Sequence, residues 1–287
     1  MNIFITGASG FVGSAVIAEL LRAGHQVTAL ARSDESAKKL SDGNVKVLRG
    51  SLEDLDSLQR GAHDSEGVIH CAFIHDFANY AASAEADRKA ITALGDALAG
   101  SGRPLVVTSG AMGFAVNRAI VETDAANPKA PRLTEVAALP FAEKNVRVSV
   151  VRLPPTTHGA GDHGFVPELI SIAKKTGVSG FVGEGQNRWP AVHRLDAAKV
   201  FRLAVEKAPA GSRLHAVAEE GIATKDIAAV IGRKLGLPVA SKPAEHFGWM
   251  GRFFSADALV SSEYTRKSLA WEPTHPGLLA DLEAAYF

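Results

Sequence analysis

Thr6-Gly7-Ala8-Ser9-Gly10-Phe11-Val12-Gly13 is the stretch that decides how this 287-residue chain folds. It joins a short apolar run with β character, Asn2 to Thr6, to a segment from Phe11 to Ala23 in which Val12, Val16 and Leu20 recur at helical spacing. Gly24 follows as a stop signal. The order strand, glycine turn, helix leaves the first helical N–H groups without intrahelical partners at the tip of the strand. Gly7 permits the tight turn, Gly10 lets a ligand approach the backbone, and Gly13 lets helix and strand pack closely. A G-x-x-G-x-x-G in this context is a cradle for the pyrophosphate of a dinucleotide.

Outward from the cradle, strands and helices alternate. Gln26 to Ala31 reads as a second strand, Ser36 to Leu40 as a helix and Val45 to Arg49 as a third strand. A helix over Leu52 to Arg60 and a fourth strand over Gly67 to Ala72 follow, then a helix from about Ala84 to Ala99. The strand Leu105 to Thr108, an irregular stretch, a further helix and the strand Val146 to Arg152 complete the series. Such alternation predicts an α/β fold with a mostly parallel, doubly wound Rossmann sheet. After Arg152 the texture changes, with Pro154, Pro155, Gly159, Gly161 and Gly164 close together. Residues 1–153 are therefore expected to form the coenzyme-binding Rossmann domain, to which late segments such as 189–217 return. Residues 154–287 are expected to form mainly a smaller C-terminal substrate lobe. Gly180 to Gly185 reads as a loop there, and Thr224 to Leu235 as an amphipathic helix capped by Thr224 and stopped by Gly236.

Bulk properties narrow the partners. Lys plus Arg and Asp plus Glu are 31 each, so no basic excess points to nucleic acid or to an acidic membrane. No window approaches the roughly 20 apolar residues of a membrane helix, and the first strand begins at Asn2 without a basic leader. The single cysteine, Cys71, excludes an internal disulfide and a Cys-rich metal site. A cytoplasmic protein acting on a small molecule, with no metal, no nucleic acid and no membrane among its partners, is the expectation.

The choice of dinucleotide falls at the end of the second strand, Ala31-Arg32-Ser33. A carboxylate there would hold a free adenosine ribose, whereas a cation pairs with a 2′-phosphate. Arg32 can stack on adenine and fork to phosphate oxygens, and Ser33 adds a hydroxyl. NADP(H) is expected, with NAD(H) as the alternative because Asp34 stands next in line.

These motifs resemble the extended and atypical short-chain dehydrogenase/reductases, the superfamily of NAD-dependent epimerases, dehydratases and ketoreductases. The likeness rests on Gly7, Gly10 and Gly13, on Val68-Ile69-His70-Cys71-Ala72, on Thr108-Ser109, on Val151-Arg152-Leu153-Pro154, and on the segment from Trp189 to Asp196. It implies that Ser9, Phe11 and Val12 join the cradle and that Cys71, Ala72 and Phe73 lie along the nicotinamide ribose. Thr108 and Ser109 would also contact the coenzyme, and Leu153, Pro154 and Pro155 would meet the nicotinamide. Where such proteins commonly carry Asp after the third strand, this chain has Gly50-Ser51, so Ser51, with Leu52 beside it, or the nearby Glu53 takes that place. The resemblance also implies dimers formed through helices of the sheet domain, and Ala84 to Ala99 is rich in small residues.

One departure is large. The superfamily's proton donor is a Tyr-x-x-x-Lys pair before the sixth strand, yet Tyr80, Tyr264 and Tyr286 all lie elsewhere and none precedes a lysine by four. The corresponding stretch reads Lys129-Ala130-Pro131-Arg132-Leu133-Thr134-Glu135, which offers Arg132 as the cation in place of lysine. Hydride transfer to a carbonyl still needs the developing alkoxide to be protonated. Either His158, exposed on the glycine-rich loop, or a water positioned by Ser109 and Arg132 is expected to do this. Met112, His163, Phe165, Val166, Trp189 and His193 are the expected substrate wall, largely apolar. Together these readings predict an NADPH-dependent ketone reductase. The alternatives are an NADP-sensing regulator without turnover and, less favoured by Arg32, a sugar-nucleotide epimerase.

Overall fold

A computed structural model describes residues 1–41, 44–76, 79–112 and 118–287. Twelve strands run through the described residues: β1 (Asn2–Thr6), β2 (Gln26–Ala31), β3 (Val45–Arg49), β4 (Gly67–His70), β5 (Pro104–Gly110), β6 (Arg147–Leu153), β7 (Thr156–His158), β8 (Ser179–Val182), β9 (Arg188–His193), β10 (Ser212–His215), β11 (Glu219–Ala223) and β12 (Val239–Lys242). The α-helices between them are α1 (Phe11–Arg22), α2 (Asp34–Ser41), α3 (Leu55–His63), α4 (Tyr80–Leu98), α5 (Thr134–Ala138), α6 (Phe165–Thr176), α7 (Arg194–Lys207), α8 (Thr224–Leu235), α9 (Gly251–Phe254), α10 (Glu263–Leu269) and α11 (Leu278–Ala285).

Seven strands pair in the order β10-β6-β5-β4-β1-β2-β3, every pair parallel. This is the doubly wound Rossmann sheet that the alternation predicts. Its central strands read as continuous apolar runs because both faces are covered. On one face Val16 and Leu20 of α1 meet Val200 and Phe201 of α7, and on the other Leu58 of α3 meets Ile91 and Leu94 of α4. The order in which strands are added reverses between β1 and β4, which pair in parallel with a register that aligns Thr6 with His70. That switch point opens a crevice at the C-terminal strand ends, where ligands of such sheets bind.

A second apolar core joins α6, α8 and α11 around the buried Trp189, Phe247 and Phe254. It is bordered by a three-stranded sheet, β11-β9-β7, and a two-stranded one, β12-β8. Residues 180–185 are thus not simply a loop. β8 occupies part of them, held by parallel pairing with a strand about sixty residues later, a contact invisible to local patterning. Helix boundaries shift for similar reasons. α4 starts at Tyr80 rather than at Ala84, and α3 starts at Leu55, capped by Asp54, which accepts from the Ser57 amide at 3.1 Å. Thr224 is not the cap of α8: it is buried, and its hydroxyl donates to Asn187 Oδ1 at 2.6 Å. Among the described residues no helix is long and apolar enough to cross a membrane.

The fit of α3 to the sheet is close. A Cβ built on Gly61 would lie 2.4 Å from the ring of Phe4, a fully buried residue of β1. Gly61→Ala is therefore expected to lower stability by about 1–3 kcal/mol through overpacking, despite alanine's better helix propensity. A denaturant midpoint equal to or above that of the parent chain contradicts this packing.

Candidate coenzyme and catalytic site

Three backbones meet at the cradle. Gly7 has φ +71°, and a Cβ on it would lie 2.6 Å from the Ala72 amide nitrogen; a Cβ on Gly13 would lie 2.1 Å from the Gly7 carbonyl oxygen. The turn, the first turn of α1 and the chain leaving β4 consequently pack as only glycines allow. Gly10 caps α1 without a side-chain hydrogen bond, and no acidic residue stands in the first turn. The amides of Phe11, Val12 and Gly13 have no intrahelical partners and face a site with exposed Ser9 and Gly10. A dinucleotide pyrophosphate fits this arrangement of space, donors and positive helix end.

At the adenosine end Arg32 and Ser33 are both exposed. The Ser33 hydroxyl accepts from the Ser36 amide at 3.2 Å and so opens α2. Arg49, at the tip of β3, donates to the Ser33 carbonyl at 2.6 Å and pairs with Asp34 at 2.8 Å. Asp34 is thereby turned toward a cation of the protein itself. Ser51 Oγ accepts from the amides of Glu53 and Asp54, and Leu52 packs against the core beside α3.

Beyond the crevice lies a polar network that the sequence pattern did not single out. Asp87, buried in the middle of α4, accepts from His70 Nε2 at 3.2 Å, from Thr134 Oγ1 at 2.8 Å, and from Arg132 Nε and Nη2 at 3.0 Å each. Burial alone would raise the Asp87 pKa, but the hydrogen bonds and charges of His70 and Arg132 overcome it and hold the carboxyl at about 2. Thr6 Oγ1 bonds His70 Nδ1 at 2.8 Å and accepts from the Ala72 amide at 3.4 Å, so the network reaches the cradle itself. Arg132 Nη2 also donates to the Thr108 carbonyl at 3.1 Å, and the guanidinium stacks over Phe73 with Cζ 4.0 Å from the ring centroid. Its Nη1 makes no hydrogen bond with the described residues and is the donor left for a ligand. The signal for Asp87 was present: Ala84, Asp87, Ala90, Ile91 and Leu94 share the buried stripe of one helix, and a carboxylate in such a stripe needs a cation.

Ser109 follows Thr108 at the partly exposed end of β5. Cys71 is a weak candidate for chemistry, since burial pushes its thiol up to about 12. Leu153 and Pro155 are partly exposed at the end of β6 and Pro154 is buried. Arg152, just before them, is fully buried and held bidentately by Glu135 at 2.7 and 2.8 Å, a structural pair.

His158 is not exposed as expected. It is fully buried, with Nδ1 2.8 Å from Asp281 Oδ2 on α11 and Nε2 enclosed. An imidazole with both nitrogens inside the protein cannot reach a substrate carbonyl in this arrangement. His193 caps α7, accepting from the Leu195 amide at 3.3 Å, and stacks on His275. His163 is exposed, its ring edge-on to Phe11 at 5.7 Å between centroids.

Of the expected substrate wall, Val166 and Trp189 are core residues instead, because β9 and α6 need their volume to close the second core. Met112 is half-buried beside Ala111, Ile120 and Val260. Phe165 is partly exposed, packed on Trp189 and in ring contact with Trp249 and Phe253, which are 53% and 47% exposed. An apolar aromatic surface therefore begins one residue after the glycine-rich loop that carries His163. Tyr286 anchors that loop, donating to Asp162 Oδ2 at 2.7 Å and accepting from the Gly159 amide at 3.2 Å.

Comparisons with known proteins agree with this geometry. A family model described as NAD(P)H-binding matches residues 7–150. The uncharacterized protein C2A9.02 of Schizosaccharomyces pombe is 49% identical over 295 residues, covering 100% of both chains, and protein YLL056C of Saccharomyces cerevisiae is 48% identical, covering 100% of this chain and 99% of its own. A ketoreductase of Stigmatella aurantiaca, acting on a farnesylated quinoline oxide, is 28% identical over 74% of this chain and 66% of its own. Among solved structures, a dTDP-glucose 4,6-dehydratase from Streptomyces venezuelae with NAD and TYD bound superposes with a TM-score of 0.80 at 17% identity, covering 100% of this chain and 96% of that one; at this identity the likeness is one of fold.

Removing the Asp87 charge leaves Arg132 half-enclosed without a counter-ion. Asp87→Asn should cost about 3 kcal/mol of stability at neutral pH. Because the folded-state pKa lies below the ordinary carboxylate value, the parent's extra stability is present at neutral pH and drains away as pH falls through the window from about 4 to about 2. The variant should lack that acid limb. Parallel unfolding curves for the two proteins from pH 7 down to pH 3 would remove Asp87 from the role given to it here.

Proposed function

The chain belongs to the NAD(P)H-binding family, and on that premise we propose that it is an NADPH-dependent reductase of small, largely apolar ketones or aldehydes, working by hydride transfer. The observation that carries this reading is Arg132. A guanidinium locked by Asp87 and by the carbonyl of Thr108, the residue before Ser109, with one amino group making no hydrogen bond to the described residues, is a preorganised electrophile at the crevice where the resemblance puts the nicotinamide. When bound, the coenzyme supplies the hydride. Arg132 Nη1 and the Ser109 hydroxyl then hold the carbonyl oxygen and stabilise the charge that develops on it. Arginine does not release its proton at working pH, so the proton comes from a water that these two groups orient.

Gly7, Ser9, Gly10, Phe11, Val12 and Gly13 hold the diphosphate in this reading. Cys71, Ala72, Phe73, Pro154 and Pro155 lie along the nicotinamide half, and Ser51 and Leu52 along the adenine. Phe165, with Trp249 and Phe253 beyond it, gives an aromatic or terpenoid ketone a surface to lie on, consistent with a ketoreductase among the relatives. Residues 154–287 thus supply most of the substrate side. In this reading preference for NADPH rests on Arg32, which is exposed and makes no hydrogen bond or ion pair with the described residues, and on Arg49, which pairs with Asp34.

NADPH consumption should depend on added apolar carbonyl compound, and Arg132→Ala should lower kcat by about 10²- to 10³-fold, with a smaller loss in Arg132→Lys. Tight NADPH binding without turnover on any carbonyl compound in a broad panel is the result that overturns the enzymatic reading in favour of a coenzyme-sensing regulator. Arg32→Ala should weaken NADPH binding about 10- to 100-fold, the loss of a charged hydrogen-bond partner, and leave NADH binding unchanged. Arg49→Ala should release Asp34 and improve NADH binding relative to NADPH. Unaltered affinity ratios in both variants contradict the proposed specificity.

A further inference from the structure

Arg194 is the first residue of α7, yet its side chain reaches across to α1. Its Cζ lies 4.6 Å from the centroid of the Phe11 ring, and Nη2 donates to Ser14 Oγ at 3.1 Å. Nη1 donates to the Ala160 carbonyl at 3.0 Å, and Nε is buried without a partner. Among the described residues a ring face, a hydroxyl and a carbonyl are what this guanidinium touches, and none of them is an anion. The carboxylate nearest in sequence on α1, Glu19, is already engaged by Arg22 and Arg202. Arginine remains charged in proteins, so the ring, the hydroxyl and the carbonyl offset only part of the cost of its half-burial. Burial accordingly pulls the Arg194 pKa down.

Phe11 opens α1, and its ring carries Arg194 to the edge of the cradle, where the amides of Phe11, Val12 and Gly13 lack partners. Unmatched positive charge therefore comes from two sides, the helix end and the guanidinium, with an anion as the missing member. We propose that Arg194 is a coenzyme-binding residue that pairs with the dinucleotide's diphosphate and, through the Ala160 carbonyl, fastens the 159–164 loop over it. The inference rests on the coenzyme reading above but not on the reaction. It makes binding of the coenzyme and ordering of the loop that bears His163 a single event, since one guanidinium serves both. Tyr286, which holds Asp162 and Gly159, supports the same loop from its other side.

The test compares the parent chain with Arg194→Ala and Arg194→Lys by calorimetric titration against three probes: NADPH, 2′-phospho-ADP-ribose, which keeps the diphosphate, and 2′-AMP, which lacks it. Arg194→Ala should weaken the first two by about 10- to 100-fold, as expected for a lost charged hydrogen bond, and leave 2′-AMP unchanged. Arg194→Lys, which keeps the charge without the fork, should recover part of the loss. Hydrogen exchange of the amides of 160–164 should slow on adding NADPH to the parent and not to Arg194→Ala. An equal loss for all three probes assigns Arg194 a purely structural role and overturns the proposal, as does full affinity of Arg194→Ala for NADPH. Should Arg194→Ala fail to fold, Arg194→Lys carries the same comparison, and equal weakening for all three probes again overturns it. If the parent chain binds none of the probes, the coenzyme reading itself fails and the clamp fails with it; binding by the parent alone separates the two.

Discussion

The Gly7 carbonyl and the Ala72 amide are the walls against which everything else is placed. Gly13 must pass the first, and Gly7 must pass the second, at distances where any side chain would collide. This steric constraint brings the start of α1 against the exits of β1 and β4, and it leaves the helix amides uncovered at the point where the strand order reverses. The crevice, its positive end and its depth all follow from backbone packing before any side chain is considered.

Around that point three arginines are treated differently, and the differences separate structure from function. Arg152 is fully buried and matched by Glu135, so its charge is spent inside the fold. Arg132 is matched by Asp87 on one edge, while its Nη1 makes no hydrogen bond with the described residues. Arg194 meets no anion among the described residues. In a medium where unpaired charge is costly, the first two charges are balanced inside the fold, and the third is the one on which the proposed diphosphate contact rests.

Much of this organisation was legible. The strand and helix series follows from apolar periodicity, which is local, and the seven-stranded parallel sheet follows from their alternation. The cradle was legible because its chemistry lies within eight consecutive residues. Asp87 was not, although it sits in an apolar stripe, because its partners His70 and Arg132 lie 17 and 45 positions away. His158 misled for the opposite reason. Glycines around it suggest an open loop, whereas Asp281, 123 residues later, draws the ring inside.

What the sequence alone determined is the class of fold, the place of the dinucleotide cradle and the absence of a Tyr-x-x-x-Lys pair, because each depends on neighbours along the chain. Tertiary structure alone decided which charges are matched, which aromatic residues are core and which remain at the surface, and which histidine is shut away. Those outcomes depend on desolvation and on partners distant in sequence, and neither is fixed until the sheet and its covering helices have closed.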